Sequence, residues 1–179
     1  RWDHGGLSPD LAGIRQLASR FEAGAVKLSP GAPEGALEIP CETEFVGVRD
    51  ELREQILWTG SIATTGRLRV SEWRDGIWET FHAAKADAED AFSEAIAEEP
   101  MEWVFEPVKA MVRSHLFAIF GQGHGLRRMD ASIAWLTGPE SVKTNFLKAY
   151  RVLAHGPLKA GTEESLLQPA GRTCGAVKK

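Results

Sequence analysis

The side chains whose type and spacing could do chemistry are cations in the second half of the chain. Lys109 and Arg113 stand one helical turn apart on a polar face opposite Met111 and Leu116. Arg127 and Arg128 follow a glycine turn, and Lys143, Lys148 and Arg151 flank a strand-like run. A surface of this sign, with Trp135 and Tyr150 close by in sequence, can follow a nucleic-acid backbone by displacing counterions from its phosphates. The plainer alternative is ordinary surface charge, because residues 101–179 carry only 11 Lys and Arg against 6 Asp and Glu.

Other constellations carry less. Gly121, Gly123 and Gly125 suggest a phosphate loop, but such loops follow a strand and open a helix. These glycines follow a helix, so a C-cap and turn is the better reading. His4, His82, His115, His124 and His155 are scattered, with no HExxH and no nucleophile beside them, which gives a hydrolase site no support. Cys41 and Cys174 lack CxxC spacing and metal-ligand partners, so neither a disulfide framework nor a metal site is expected. Of the six Trp residues, Trp73 and Trp78 account for each other as a cross-strand pair, and the rest read as core or interface.

These residues need elements to hold them. Ser8-Pro9 is an N-cap and first-turn pair, and Leu11, Ile14, Leu17, Ala18 and Phe21 recur at helical spacing, which predicts a helix over 9–21. A short buried strand over 25–28 follows and stops at Ser29-Pro30-Gly31; in α/β proteins ligand sites lie beyond such strand ends. "ETEFVGVRD" reads as a strand, and "ELREQILWTG" as a helix with Leu52, Ile56 and Leu57 on one face. Asp75-Gly76 predicts a two-residue hairpin that sets Trp73 opposite Trp78 and Glu72 opposite Glu79. The Ala-rich acidic stretch 84–99 fits a solvated helix or a linker and ends at Pro100, where a domain boundary is expected. Beyond it come a strand at "EWVFEP" and a helix opened by Pro107 with Val108, Met111, Val112, His115, Leu116 and Ile119 on one face. "GQGHG" closes that helix, and "ASIAWLTG" and "LKAYRVLAH" read as further strands.

Composition bounds the reading. The chain has 179 residues, 43% of them hydrophobic, which suffices for a core and argues against disorder. No apolar run is long enough for a membrane helix and no signal peptide is evident, so a cytoplasmic protein is expected. The net charge of -4 hides a split of -9 over residues 1–100 and +5 over 101–179, so the two halves are expected to meet different partners. A first residue of Arg1 and an end at "GAVKK" suggest a piece of something longer.

The order of "AVKLSPG", "ETEFVGVRDELREQILWTG", "EWVFEPVKAMVRSHLFAIFGQGHGLRRMDASIAWLTG", "FLKAYRVLAHGPL" and "GAVKK" resembles the C-terminal part of bacterial class I S-adenosylmethionine-dependent methyltransferases that carry a THUMP-like domain. The resemblance covers about residues 7–179, and "GPLKAGTEESLLQPAG" departs from it. It implies an α/β, overall α+β, architecture: distal strands of a Rossmann-like methyltransferase sheet in residues 1–99, then a small α+β THUMP-like domain in residues 100–179. "AVKLSPG" would be the fifth sheet strand and its loop, "EFVGV" the sixth, and the hairpin the last antiparallel one. Lys27 and Pro30 would support the methyl-transfer pocket. The catalytic residues and the S-adenosyl-L-methionine loop would precede Arg1, leaving this segment inactive alone. The THUMP-like likeness points to RNA, tRNA or rRNA, as partner, with Lys109, Arg113, Arg127, Arg128, Lys143 and Lys148 facing it and neither membrane nor metal involved. A stand-alone RNA-binding or protein-interaction module without catalysis is the alternative.

Overall fold

The computed structural model describes residues 10–33, 35, 37–92 and 96–156. Helix α1 (Leu11–Ala18) is capped by Asp10, whose carboxylate accepts the Gly13 N–H at 2.7 Å, satisfying one of the donors that a helix start leaves unpaired. The predicted Ser8-Pro9 cap lies outside the described residues. The chain then forms β1 (Ala23–Leu28), β2 (Cys41–Val48), β3 (Glu51–Gly60), β4 (Arg67–Arg74) and β5 (Ile77–Ala84), followed by α2 (Lys85–Phe92). These strands make one sheet in the order β1-β3-β2-β4-β5, in which only the β2 and β4 pair is parallel.

The segment predicted as a helix over "ELREQILWTG" is strand β3, antiparallel to both β1 and β2. Gln55, Leu57 and Thr59 alternate into the interior, so a period of two decides the element even though Leu52, Ile56 and Leu57 also fit one helical face. β3 therefore lies antiparallel between β1 and β2, a strand that the resemblance did not place there, since it made the hairpin the last antiparallel strand. The Asp75-Gly76 hairpin forms as predicted, with Trp73 opposite Trp78 and Glu72 opposite Glu79, and extends the sheet by β4 and β5. The like-charge pair does not meet head-on: Glu79 turns to the Thr144 hydroxyl and the Asn145 N–H at 2.6 Å, while Glu72 is fully buried.

A second, antiparallel sheet runs β7-β8-β6-β9, from β6 (Trp103–Pro107), β7 (Arg127–Arg128), β8 (Leu136–Gly138) and β9 (Leu147–Arg151). Between β6 and β7 lies not one helix but two, α3 (Lys109–Arg113) and α4 (Phe117–Gly123). His115 has φ of 58° at the break. Ser114 supports that break: its hydroxyl donates to the Met111 carbonyl at 3.1 Å and accepts the Leu116 N–H at 3.3 Å, an alternative to helical pairing. "GQGHG" ends α4 as predicted, with Gly125 at φ 70°.

One buried cluster joins the layers: Phe45, Leu68 and Val70 from the first sheet, Ala88 and Ala91 from α2, Met111, Phe117 and Phe120 from α3 and α4, and Phe105, Leu136 and Leu147 from the second sheet. It thus draws on residues from both sides of position 99. A smaller cluster of Leu28, Ala32, Leu37 and Leu57 packs Leu11 and Ile14 of α1 against β1 and β3. The other face of the first sheet carries a charged network. Glu42, fully buried, accepts from Arg67 at 2.6 Å and from the Thr64 N–H at 3.0 Å and pairs with Arg69. Burial opposes its charge, but these donors outweigh it and hold the carboxyl below its usual range. Among the described residues no helix is long and apolar enough to cross a membrane.

Gly47 sits opposite Glu72, and a Cβ there would lie 1.9 Å from Glu72 Oε2 and 3.2 Å from the Ala110 Cβ. Gly47→Ala should destabilise the chain by about 1–3 kcal/mol in urea unfolding, the usual cost of overpacking. Burial pushes the Glu72 carboxyl up, against the pull of the Asp50 N–H. A raised folded-state value means Glu72 contributes most stability below the ordinary carboxylate range, and loses it as pH rises through that raised value. Glu72→Gln should then unfold at a higher urea concentration than the native chain at pH 8, with the difference vanishing near pH 4.

Candidate nucleic-acid interface

Lys27 and Pro30 separate in the structure. Lys27 is exposed on β1 and pairs with Glu54 of β3 at 2.6 Å. Pro30 belongs to the turn closed by the Ala32 N–H on the Ser29 carbonyl at 2.9 Å. Arg113 reaches this turn from α3, its Nη2 donating to the Ala32 carbonyl at 2.8 Å and its Nε to the Pro30 carbonyl at 3.4 Å. The same guanidinium lies over the Phe45 ring at 5.5 Å. Two residues that the sequence placed in different roles, Pro30 and Arg113, thus form one clasp.

The other cations divide by environment. Arg128 is 7% exposed, stacks on Phe92 at 3.9 Å, and donates to the carbonyls of Phe92, Asp130 and Ala131. Its guanidinium closes the loop after β7 rather than facing solvent. Lys148 of β9 is half-buried and pairs with Asp50 and, at 3.9 Å, with Glu106; Asp50 chiefly raises its pKa. Lys109, Arg127 and Lys143 are exposed. Lys109 opens α3, with its backbone N–H donating to Asp50 at 3.2 Å.

Pairing within the second sheet shows what these residues share. Phe105, Leu136 and Leu147 face the core. On the opposite face Arg127 pairs with Thr137, Thr137 with Val104, and Val104 with Tyr150, one row across all four strands. Glu106 and Lys148 pair one step along on that same face. Trp135, just ahead of β8, lies nearly parallel to Tyr150, with 6.2 Å between ring centroids and 11° between planes. The Tyr150 hydroxyl donates to Glu106 at 3.1 Å, and its pKa is raised by burial and then by that carboxylate. A cleft of about 420 Å³ opens beside this face, lined by Pro107, Lys109, Val112, Arg113, Ile133 and Trp135 among others. Lys109, Arg113 and Lys148 therefore gather around Trp135 and Tyr150. Arg127 joins them across the sheet, whereas Lys143 sits beside Thr144, which bonds Glu79 of β5. Missing from the sequence reading was the parallel ring pair; the alternation of "LKAYR" against "EWVFEP" carried the signal for its face.

The arrangement holds no acid–base or nucleophile pair poised on a reactant, and among the described residues no group of three or more His, Cys, Asp and Glu could hold a metal. It can bind: exposed cations and aromatic rings at the margins of one sheet face, whose centre at Val104 and Thr137 is buried, suit phosphates and flat rings. No protein-family model matches the chain. An uncharacterised S-adenosylmethionine-dependent methyltransferase, present in two strains of Mycobacterium tuberculosis, is 28% identical to it over 131 residues, which are 70% of this chain and 35% of that protein. The chain thus spans about a third of the length of the curated relatives it matches. Among solved structures, a candidate methyltransferase from Porphyromonas gingivalis W83 superposes with a TM-score of 0.71 at 16% identity, over 90% of this chain and 43% of that one. The chain has a methyltransferase-like fold. Its sequence is homologous to S-adenosylmethionine-dependent methyltransferases.

Two outcomes check the division of the cations. Arg128→Leu should cost about 2–4 kcal/mol in urea unfolding, because it strips charged donors from three carbonyls and removes the guanidinium packed on Phe92. Arg113→Leu should speed amide hydrogen exchange at Ala32 and leave exchange at Arg127 unchanged, since only the turn loses its clasp.

Proposed function

We propose that the chain is part of an S-adenosylmethionine-dependent methyltransferase that acts on RNA, tRNA or rRNA, with residues 100–179, a THUMP-like unit, recruiting the substrate. The observation that carries methyl transfer is the 28% identity over 131 residues to proteins so named, with the methyltransferase-like fold beside it. RNA is supported by the positive balance of the second region and by the cation and aromatic face built on β6 to β9.

S-adenosyl-L-methionine would supply the methyl group as a sulfonium. The glycine stretch of this chain does not fit its cradle. "GQGHG" leads from a helix into a strand, with the Leu126 N–H bonded to the Gly121 carbonyl at 2.8 Å, so its amides close α4 rather than face a ligand. We assign no cofactor contact and no chemical step to these residues. Their work in the proposal is positional: Lys109 and Arg127 meet phosphates, Lys143 adds a more distant cation, and the Arg113 clasp keeps the Pro30 turn fixed beside the cleft.

Filter binding of the chain to bulk tRNA and rRNA at two salt concentrations tests recruitment. Binding should weaken steeply with salt, and Lys109→Glu/Arg127→Glu should lower both the affinity and the salt slope, by about one per lost phosphate contact. Binding that ignores salt or the double variant would reject this surface. Transfer of labelled methyl from S-adenosylmethionine to the same RNA by the full-length protein tests the activity. RNA binding without transfer would favour a recruiting module with no catalysis of its own.

A further inference from the structure

The second sheet, at its exposed margin around Tyr150, is better suited to one form of RNA than to another. Its central row ends on Tyr150, which is 46% exposed and lies parallel to Trp135. The cleft next to it is walled by apolar side chains that also meet solvent, Val112 at 37% and Ile133 at 46% exposure. Arg127 stands three strands away from Tyr150 on the same face, about 14 Å at ordinary strand spacing. Lys109 lies on the cleft rim. A rigid aromatic surface with cations to either side matches a few nucleotides of backbone with a base turned inward. In a duplex the base faces are already stacked and unavailable to a protein ring, so such a surface has nothing to hold there but phosphate.

Glu106 constrains the path. It accepts from the Tyr150 hydroxyl at 3.1 Å and lies 3.9 Å from the Lys148 ammonium, which fixes the tip of the ring and places a negative charge on the same face. A phosphate passing over Glu106 would be repelled. The middle of the face, Val104 and Thr137, is buried, so the backbone must run past Arg127 and Lys109 at the margins and leave the exposed Tyr150 edge to the uncharged base.

Resting on the RNA reading above, we infer that this face binds an unpaired stretch of RNA, with one base stacked at the Trp135 and Tyr150 pair beside the cleft. Duplex RNA meets only the marginal cations.

The test is an anisotropy titration of the chain with a short labelled single-stranded RNA and with the same sequence as a perfect duplex. The single strand should bind about tenfold tighter or more. Tyr150→Leu should weaken single-strand binding by about tenfold, the scale of one lost stacking contact, with duplex affinity and the salt slope unchanged. Tyr150→Phe, which keeps the ring and drops only the bond to Glu106, should retain most of the affinity. As a readout independent of variant folding, the single strand should quench tryptophan emission in the native chain, and Trp135→Phe should lose the larger part of that quench. Equal binding of single strand and duplex with no effect of Tyr150→Leu would overturn the stacking site while leaving RNA recruitment intact. No binding of either RNA would overturn both.

Discussion

Asp50 sits with φ of 68° at the tip of the β2 and β3 hairpin, next to Arg49 at 51°, a left-handed pair without the glycine that usually makes such a turn easy. The cost is offset by what the tip touches. Its N–H donates to the buried Glu72 carboxylate at 2.7 Å, and its own carboxylate accepts from the Lys109 N–H and the Lys148 ammonium. Arg49 adds an N–H to the Trp73 carbonyl at 3.0 Å and places its guanidinium over the Trp73 ring. One hairpin tip thereby connects the first sheet, the start of α3 and strand β9. The cleft and the Tyr150 face lie on the elements it connects. A glycine at position 50 would adopt the φ found there without strain but would leave no carboxylate to hold α3 and β9.

The same tip explains what the sequence concealed. Asp75-Gly76 announces its hairpin because Gly at φ 86° carries no steric penalty, and the Trp73 and Trp78 register followed directly. Arg49-Asp50 gives no such signal, since its turn is stabilised by Glu72, Lys109 and Lys148, residues distant in sequence. With the turn hidden, β2 had no visible partner and the apolar positions of β3 could be matched to a helix. The break after Arg113 was hidden for a related reason. Val108, Met111, Val112 and Leu116 keep helical spacing across it, and only the local bonding of Ser114 ends the first helix.

The cations show a limit of another kind. Sequence counts charges but does not say which carbonyls they will find. Arg128 and its neighbour Arg127 are alike in type and adjacent, yet strand alternation sends one to the interior, against Phe92 and three carbonyls, and leaves the other exposed on the opposite face. Lys148 and Arg113 are intermediate, tied to Asp50 and to the Pro30 turn while still bordering the cleft region. Trp135 and Tyr150 stood near the basic residues in sequence, but their parallel alignment depends on pairing β9 with β6 and β8 with β6, contacts that local pattern does not report.

The Arg113 clasp gives the two functional expectations a physical connection. Its guanidinium is held by two carbonyls of the turn after β1 and by the Phe45 ring, while its own helix lines the cleft. A planar group held on three sides has little freedom to rotate, and Lys could not replace it with one point charge. The α3 side of the cleft is thus registered against the C-terminal end of β1. The cleft beside the second sheet and the end of β1 in the first are therefore separated by one side chain and a four-residue turn, short enough to transmit position without a hinge.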